Sequence, residues 1–157
     1  MNTESIRATV RQSIERSGKR FLQDADAISD DKFAVSPGGT ARSAADFTYE
    51  CTILNHRFAG ILRGETPAAS KNDGWLTATG EATVKSTALV AFKVSSDDLL
   101  AAFDLLKDEE LDKLVPGLGG PIPAYAFALF AGAHVNYHDG QLNYIQALNG
   151  DDEMHWK

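Results

Sequence analysis

"AHVNYHDGQLNYIQ", residues 133–146, sets His134 and His138 four positions apart within a mainly apolar segment. On an α-helix, positions i and i+4 project from one face about 6 Å apart, close enough for two imidazole nitrogens to reach one divalent ion. Both histidines share a line with Phe127, Phe130, Ala131, Leu142 and Ile145, so their rings face the interior of a helical fold. Two chemistries suit such a pair: a metal site, or two hydrogen-bonded core imidazoles. A third ligand from another helix decides for the metal.

Working outward from that helix, which the spacing extends from Pro123 to Leu148, Gly150 supplies a terminator and "PGLGGPIP" (Pro116 to Pro123) an interruption before it. Toward the N-terminus, Ile6, Val10, Ile14, Phe21 and Ile28 recur at helical spacing, predicting a first helix over Thr3 to Ala27. After the break at "SPGGT", Ser43 and Asp46 form a capping pair for a second helix that ends near Arg63, before Gly64 and Pro67. The segment Gly64 to Thr79, with "SKNDGW", reads as a long loop whose Trp75 packs back on the helices. A third helix from Gly80 to Lys107 follows, with Val84, Ala88, Phe92, Leu99, Phe103 and Leu106 in register; a break at "SSDD" is the competing expectation. No strand-like alternation of useful length is visible. The expectation is an all-α four-helix bundle, one domain over residues 1–157.

Composition narrows the function. The 157 residues carry a formal charge of −7 and no basic run, which disfavours nucleic-acid binding. Ile122 to Val135, the most apolar stretch, is shorter than the ~20 residues of a membrane span. No secretion-signal pattern opens the chain, and Cys51 is the lone cysteine; both point to the cytoplasm.

The second helix offers the missing ligand in "YECTILNHRF". Phe47, Cys51, Leu54, Phe58, Ile61 and Leu62 fall on one side of it, and His56 lands nearly opposite. Glu50 borders the apolar face, one turn from Phe47 and Leu54, so its carboxylate can enter the core edge. Glu50, His134 and His138 are therefore the expected metal ligands, a two-histidine, one-carboxylate set with open positions. The alternative for Glu50 is a salt bridge, for example with Arg57 or a residue of the first helix.

"HVNYHDGQLNYI" (His134 to Ile145) resembles the last-helix signature of the DinB-like superfamily of bacterial four-helix metalloproteins, and "RSAADFTYECTILNHRFAGILRGE" (Arg42 to Glu65) resembles its second helix. The resemblance implies a divalent ion, often nickel or zinc, between one second-helix residue and two last-helix histidines, here His134 and His138. By its spacing the second-helix position aligns with Glu50, where the family carries histidine, and not with His56. A carboxylate neutralises one unit of charge, so Mn²⁺ and Fe²⁺ become more competitive beside Zn²⁺ and Ni²⁺. The resemblance further implies a thiol-dependent transferase or isomerase using a low-molecular-weight thiol, or a hydrolase, acting on a small molecule, without naming a substrate or a catalytic side chain.

Other residues are weighed beside these. Gln141, one turn from His138, is placed to orient its ring, whereas Asp139 points about 100° away toward another helix. Tyr137 and Tyr144, one heptad apart, read as core or dimer packing before proton transfer. Cys51, on the buried face, is expected to be an inert small hydrophobe. The tail "GDDEMHWK", with Glu153, His155 and Trp156, is a candidate to fold over the site, against the default of a frayed terminus. The competing function is a non-catalytic, stress-associated homodimer whose polar cluster is a buried structural network.

Overall fold

The computed structural model describes residues 3–66, 75–117 and 119–157. It is mostly helical, in the order α1 (Thr3–Ala27), α2 (Asp30–Phe33), α3 (Ala44–Leu62), a 3₁₀ turn (Gly80–Thr83), α4 (Lys85–Asp104), a second 3₁₀ turn (Asp108–Glu110), β1 (Leu114–Gly117), β2 (Gly120–Pro123) and α5 (Ala124–Leu148). The four long helices pack in a ring: α1 lies against α5 and α4, and α3 against α4 and α5.

The start of α3 is fixed by the expected capping pair. Ser43 Oγ accepts from the Asp46 amide at 3.2 Å, and Asp46 Oδ2 accepts from the Ser43 amide at 2.9 Å, satisfying two donors that a helix start leaves orphaned. At the far ends of α3 and α5, Gly64 (φ 85°) and Gly150 (φ 86°) take the left-handed conformation that a side chain would resist. The third long helix differs from expectation at its ends but not in its middle. Residues 80–83 form a 3₁₀ turn, Val84 is extended, and α4 runs unbroken through Ser95 to Asp98 as far as Asp104.

Two elements were not expected. The tetrapeptide Asp30–Phe33 is a helical turn that buries Phe33. The expectation of an all-α chain is corrected by an antiparallel hairpin pairing Val115 with Ile122 and Pro116 with Pro121. Its strands are four residues long, too short for a two-residue period to stand out, and proline is tolerated because a two-stranded ribbon consists of edges. The hairpin feeds directly into α5, whose first amides donate to Lys113 O (from Ala124, 2.9 Å) and Leu111 O (from Tyr125, 3.0 Å). Residues 67–74 of the expected long loop lie outside the described residues.

The interior separates into two apolar halves. One gathers Val10, Ile14, Phe58, Leu99, Phe103, Phe127 and Ala131; the other gathers Phe21, Phe33, Phe47, Cys51, Phe92, Val135, Leu142 and Ile145. Phe21 and Phe92 stack at 4.4 Å in the second half. On α1, α3 and α4 the buried polar residues Ser17, Asn55 and Ser95 fall between the halves along the chain, and Asn55 Nδ2 donates to Ser95 Oγ at 3.3 Å. A buried polar layer thus crosses the helices, and on α5 His134 falls at the same boundary, between Ala131 and Val135.

Candidate metal centre

Glu50 on α3 and His134 and His138 on α5 come together beside this layer. His138 Nε2 lies 3.2 Å and His134 Nε2 3.4 Å from the same carboxylate oxygen, Glu50 Oε1. Glu50 and His138 are buried, and His134 is nearly so. The apolar faces of the two helices create this convergence. Phe47 stacks on the His138 ring at 5.1 Å, Phe58 meets His134 edge-on at 6.2 Å, and the two imidazoles are themselves edge-to-face at 4.7 Å.

The second oxygen of Glu50 is taken by a cation: Arg42 Nη2 stands 2.6 Å from Oε2. A salt bridge was the alternative for Glu50, but its partner is neither Arg57 nor a residue of α1. Arg42 immediately precedes the Ser43 cap, where the chain has not yet entered the helix. From there its guanidinium donates to Leu76 O at 2.6 Å and Asp46 O at 3.2 Å, and sits between the rings of Phe47 and Trp75 at 5.0 and 5.3 Å. Burial alone would raise the pKa of Glu50. Hydrogen bonding from His134 and His138 and the charge of Arg42 outweigh it and hold the carboxyl well below the usual range.

The hydrogen bonds of the imidazoles bear on what the centre holds. Gln141 Oε1 lies 2.7 Å from His138 Nδ1, and an amide oxygen only accepts, so Nδ1 carries a proton. Gln141 Nε2 turns to Tyr137 Oη at 3.4 Å, fixing the amide in this orientation. His138 Nε2 then either donates a second proton to Glu50 Oε1 at 3.2 Å or turns its lone pair toward the carboxylate, where only a shared cation reconciles the two acceptors. Among the described residues, His134 Nδ1 is buried without a hydrogen-bond partner. A cation among the two Nε2 atoms and Oε1 resolves the opposed lone pairs, so the donor set fits a divalent ion.

Of the residues singled out from sequence, His56 stays outside. Its Nδ1 pairs with Asp98 Oδ2 at 2.8 Å on the exposed face, beside the Arg63–Asp98 ion pair. Asp139 is buried against α1, as its angle foretold. Burial and then the adjoining Asp24 carboxyl raise it to about 8. The tail does not cover the centre: Trp156 Nε1 donates to Asp24 Oδ2 at 2.7 Å, its ring lies under the Arg20 guanidinium at 4.2 Å, and His155 Nε2 pairs with Asp151 Oδ2 at 2.9 Å. The tail thus neither folds over the site, as was its candidate role, nor frays, the default; it docks on α1. Tyr137 and Tyr144 are not core residues either; they are 59% and 67% exposed. Together with Trp75, Phe47, Arg42, His138 and Leu148 they line a cavity of about 500 Å³ that opens onto the His138 edge of the centre.

Sequence reasoning did not foresee two neighbours of the centre. Arg42 was hidden because it lies outside the helix whose periodicity was being read. Cys51 was assigned to inert packing, yet its Sγ and one nitrogen each of His134 and His138 all lie within 4.8 Å of one another. Its position directly after Glu50 was the available signal.

No family model and no curated protein matches the chain. Solved structures do. The chain is similar to a DinB-like protein from Bacillus subtilis, with a TM-score of 0.72 and 21% identity over 94% of this chain and 96% of that one. It is also similar to a conserved protein from Enterococcus faecalis (TM-score 0.71, 14% identity, 90% and 95% covered) and to a DinB-like protein from Bacillus cereus (TM-score 0.70, 14% identity, 90% and 91% covered). The chain therefore has the DinB-like fold, as the resemblance of its second and last helices implied.

Proposed function

We propose that this protein is a four-helix-bundle metalloprotein in which Glu50, His134 and His138 hold one divalent transition-metal ion and a small molecule reaches it from the adjoining cavity. The supporting observation is the convergence of two imidazole Nε2 atoms on Glu50 Oε1 at 3.2 and 3.4 Å. Both distances exceed the ~2.7–2.9 Å of a charge-assisted hydrogen bond. They fit the roughly 3.4 Å edge of a tetrahedron built from zinc–nitrogen and zinc–oxygen bonds of about 2.0–2.1 Å.

When bound, the ion supplies Lewis-acid polarisation of a thiol or of a substrate oxygen, the chemistry of a thiol-dependent transferase or isomerase or of a hydrolase. The chain's own residues supply the rest. Gln141 holds the proton of His138 on Nδ1 and leaves Nε2 free as a donor. Arg42 fixes Glu50 through Oε2, so that Oε1 is the oxygen presented to the two imidazoles. Phe47 and Phe58 keep water from the inner faces of the rings, and Tyr137, Tyr144 and Trp75 frame the approach. No side-chain nucleophile is assigned.

The Arg42–Glu50 pair favours a second reading, a non-catalytic helical protein with a buried ionic network, because the guanidinium already neutralises the carboxylate. Metal analysis of protein purified without a histidine tag separates the two. About one equivalent of transition metal is the expected result. Protein that stays metal-free after incubation with Zn²⁺, Ni²⁺, Mn²⁺ and Fe²⁺ supports the network and ends the metalloprotein proposal.

A further inference from the structure

We infer that Cys51 is a fourth protein ligand of the centre, joining Glu50, His134 and His138 in a set that selects a borderline-soft ion such as Zn²⁺ or Co²⁺ over Mn²⁺, with a small molecule from the cavity adding as a fifth ligand. This inference rests on the metal centre proposed above and concerns its composition. Two observations carry it. The Cys51 sulfur and one nitrogen of each imidazole lie within 4.8 Å of one another. A tetrahedral site with a zinc–sulfur bond of about 2.3 Å and zinc–nitrogen bonds of about 2.0–2.1 Å has sulfur–nitrogen edges of about 3.6 Å, so the donors close onto an ion by shifts of roughly an ångström. Cys51 is fully buried, on the inner side of the same helix turn that presents Glu50 from its border. The two imidazoles of α5 thus meet a carboxylate and a thiol from successive residues of α3.

Charge and softness complete the case. A dication facing one carboxylate that is already paired with Arg42 keeps excess positive charge in a buried layer; a thiolate removes one unit of it. Binding then releases the Cys51 proton to solvent as the sulfur–metal bond forms, with no change in oxidation state. Thiolate ligation favours Zn²⁺ and disfavours Mn²⁺, reversing the preference for hard ions that the Glu50 carboxylate alone suggests.

Cobalt substitution of the untagged, full-length protein tests this without an activity assay. Wild-type protein titrated with Co²⁺ should develop visible ligand-field bands together with a near-ultraviolet thiolate-to-cobalt charge-transfer band. Cys51→Ala should lose the charge-transfer band and keep the ligand-field bands, and Glu50→Gln should keep the charge-transfer band. X-ray absorption of zinc-loaded wild type needs no variant and should show one sulfur at about 2.3 Å. Stoichiometric metal binding with only nitrogen and oxygen neighbours overturns the role of Cys51 and leaves the Glu50–His134–His138 centre standing. Failure to bind either ion overturns both.

Discussion

Arg42 Nη2 lies 2.6 Å from Glu50 Oε2, and the side chains are only 15% and 10% exposed, so the carboxylate at the centre is held between a guanidinium and two imidazoles. Removing one partner of a pair this buried strands the other charge. Arg42→Met should destabilise the metal-free protein by about 3 kcal/mol, well above the ~0–1 kcal/mol of a surface pair. Urea denaturation checks this; a change under 1 kcal/mol would show that the pair is solvated.

Glu50→Ala should lower metal affinity at least tenfold, the scale of losing a ligand or its orienting partner, whereas His56→Ala should leave metal content unchanged. His56 meets Asp98 on the exposed face, away from the imidazoles of α5. Equilibrium dialysis with Zn²⁺ reads both variants, and the reverse ranking would assign the second-helix ligand to His56.

Two buried carboxyls impose opposite pH dependences. Glu50 sits below its ordinary 4.5 when folded, so its contribution is complete above that value and lost as pH falls through the folded one. Asp139, raised from 3.8 to about 8, binds a proton in the folded state that the unfolded chain has shed; its contribution is complete below pH 3.8 and drains away up to about pH 8. Asp139→Asn should therefore flatten the decline of stability between pH 5 and 8. Urea midpoints across that range, for wild type and variant, would show parallel slopes if Asp139 were ionised throughout.

At Gly132 the two helices α1 and α5 approach closely. A Cβ built there stands 3.2 Å from Ser13 Oγ and 3.5 Å from the backbone nitrogen of Ile14. Gly132→Leu should push the helices apart at a cost of about 1–3 kcal/mol, offset only slightly by better helix propensity. Thermal denaturation provides the measurement, with a lower midpoint expected.

Truncation after Gly150 removes Trp156 from Asp24 and Arg20 but takes nothing from the metal centre. The shortened chain should lose about 1–3 kcal/mol from one hydrogen bond to the buried Asp24 carboxylate, which keeps its Asn143 donor, and from a lost cation–π contact, with metal stoichiometry unchanged. Loss of metal on truncation would place His155 or Glu153 in the ligand set after all.

The long helices were legible because Val10, Ile14 and Phe21, or Phe47, Cys51 and Phe58, repeat at a period that only a helix buries on one side. Ser43 and Asp46 announced the start of α3 because a cap is a local interaction. Val115 and Ile122 announced nothing, since a four-residue strand acquires meaning only from its partner. At the centre, the inward turn of Glu50, His134 and His138 followed from helix phase. Arg42 did not, because its reach depends on the path of the chain before the cap. Nor did the nearness of Cys51 to the imidazoles, which depends on how far α3 stands from α5.

That last spacing has a consequence of its own. Direct packing between α3 and α5 is thinner than between α1 and α5 or between α3 and α4, and the carboxylate–imidazole cluster stands at this seam. The cluster is a cross-brace as well as the proposed binding site. A guest in the adjoining cavity that wedges the seam open would stretch the brace, and whatever tightens the brace would squeeze the cavity. Occupancy of one is thereby registered as tension in the other.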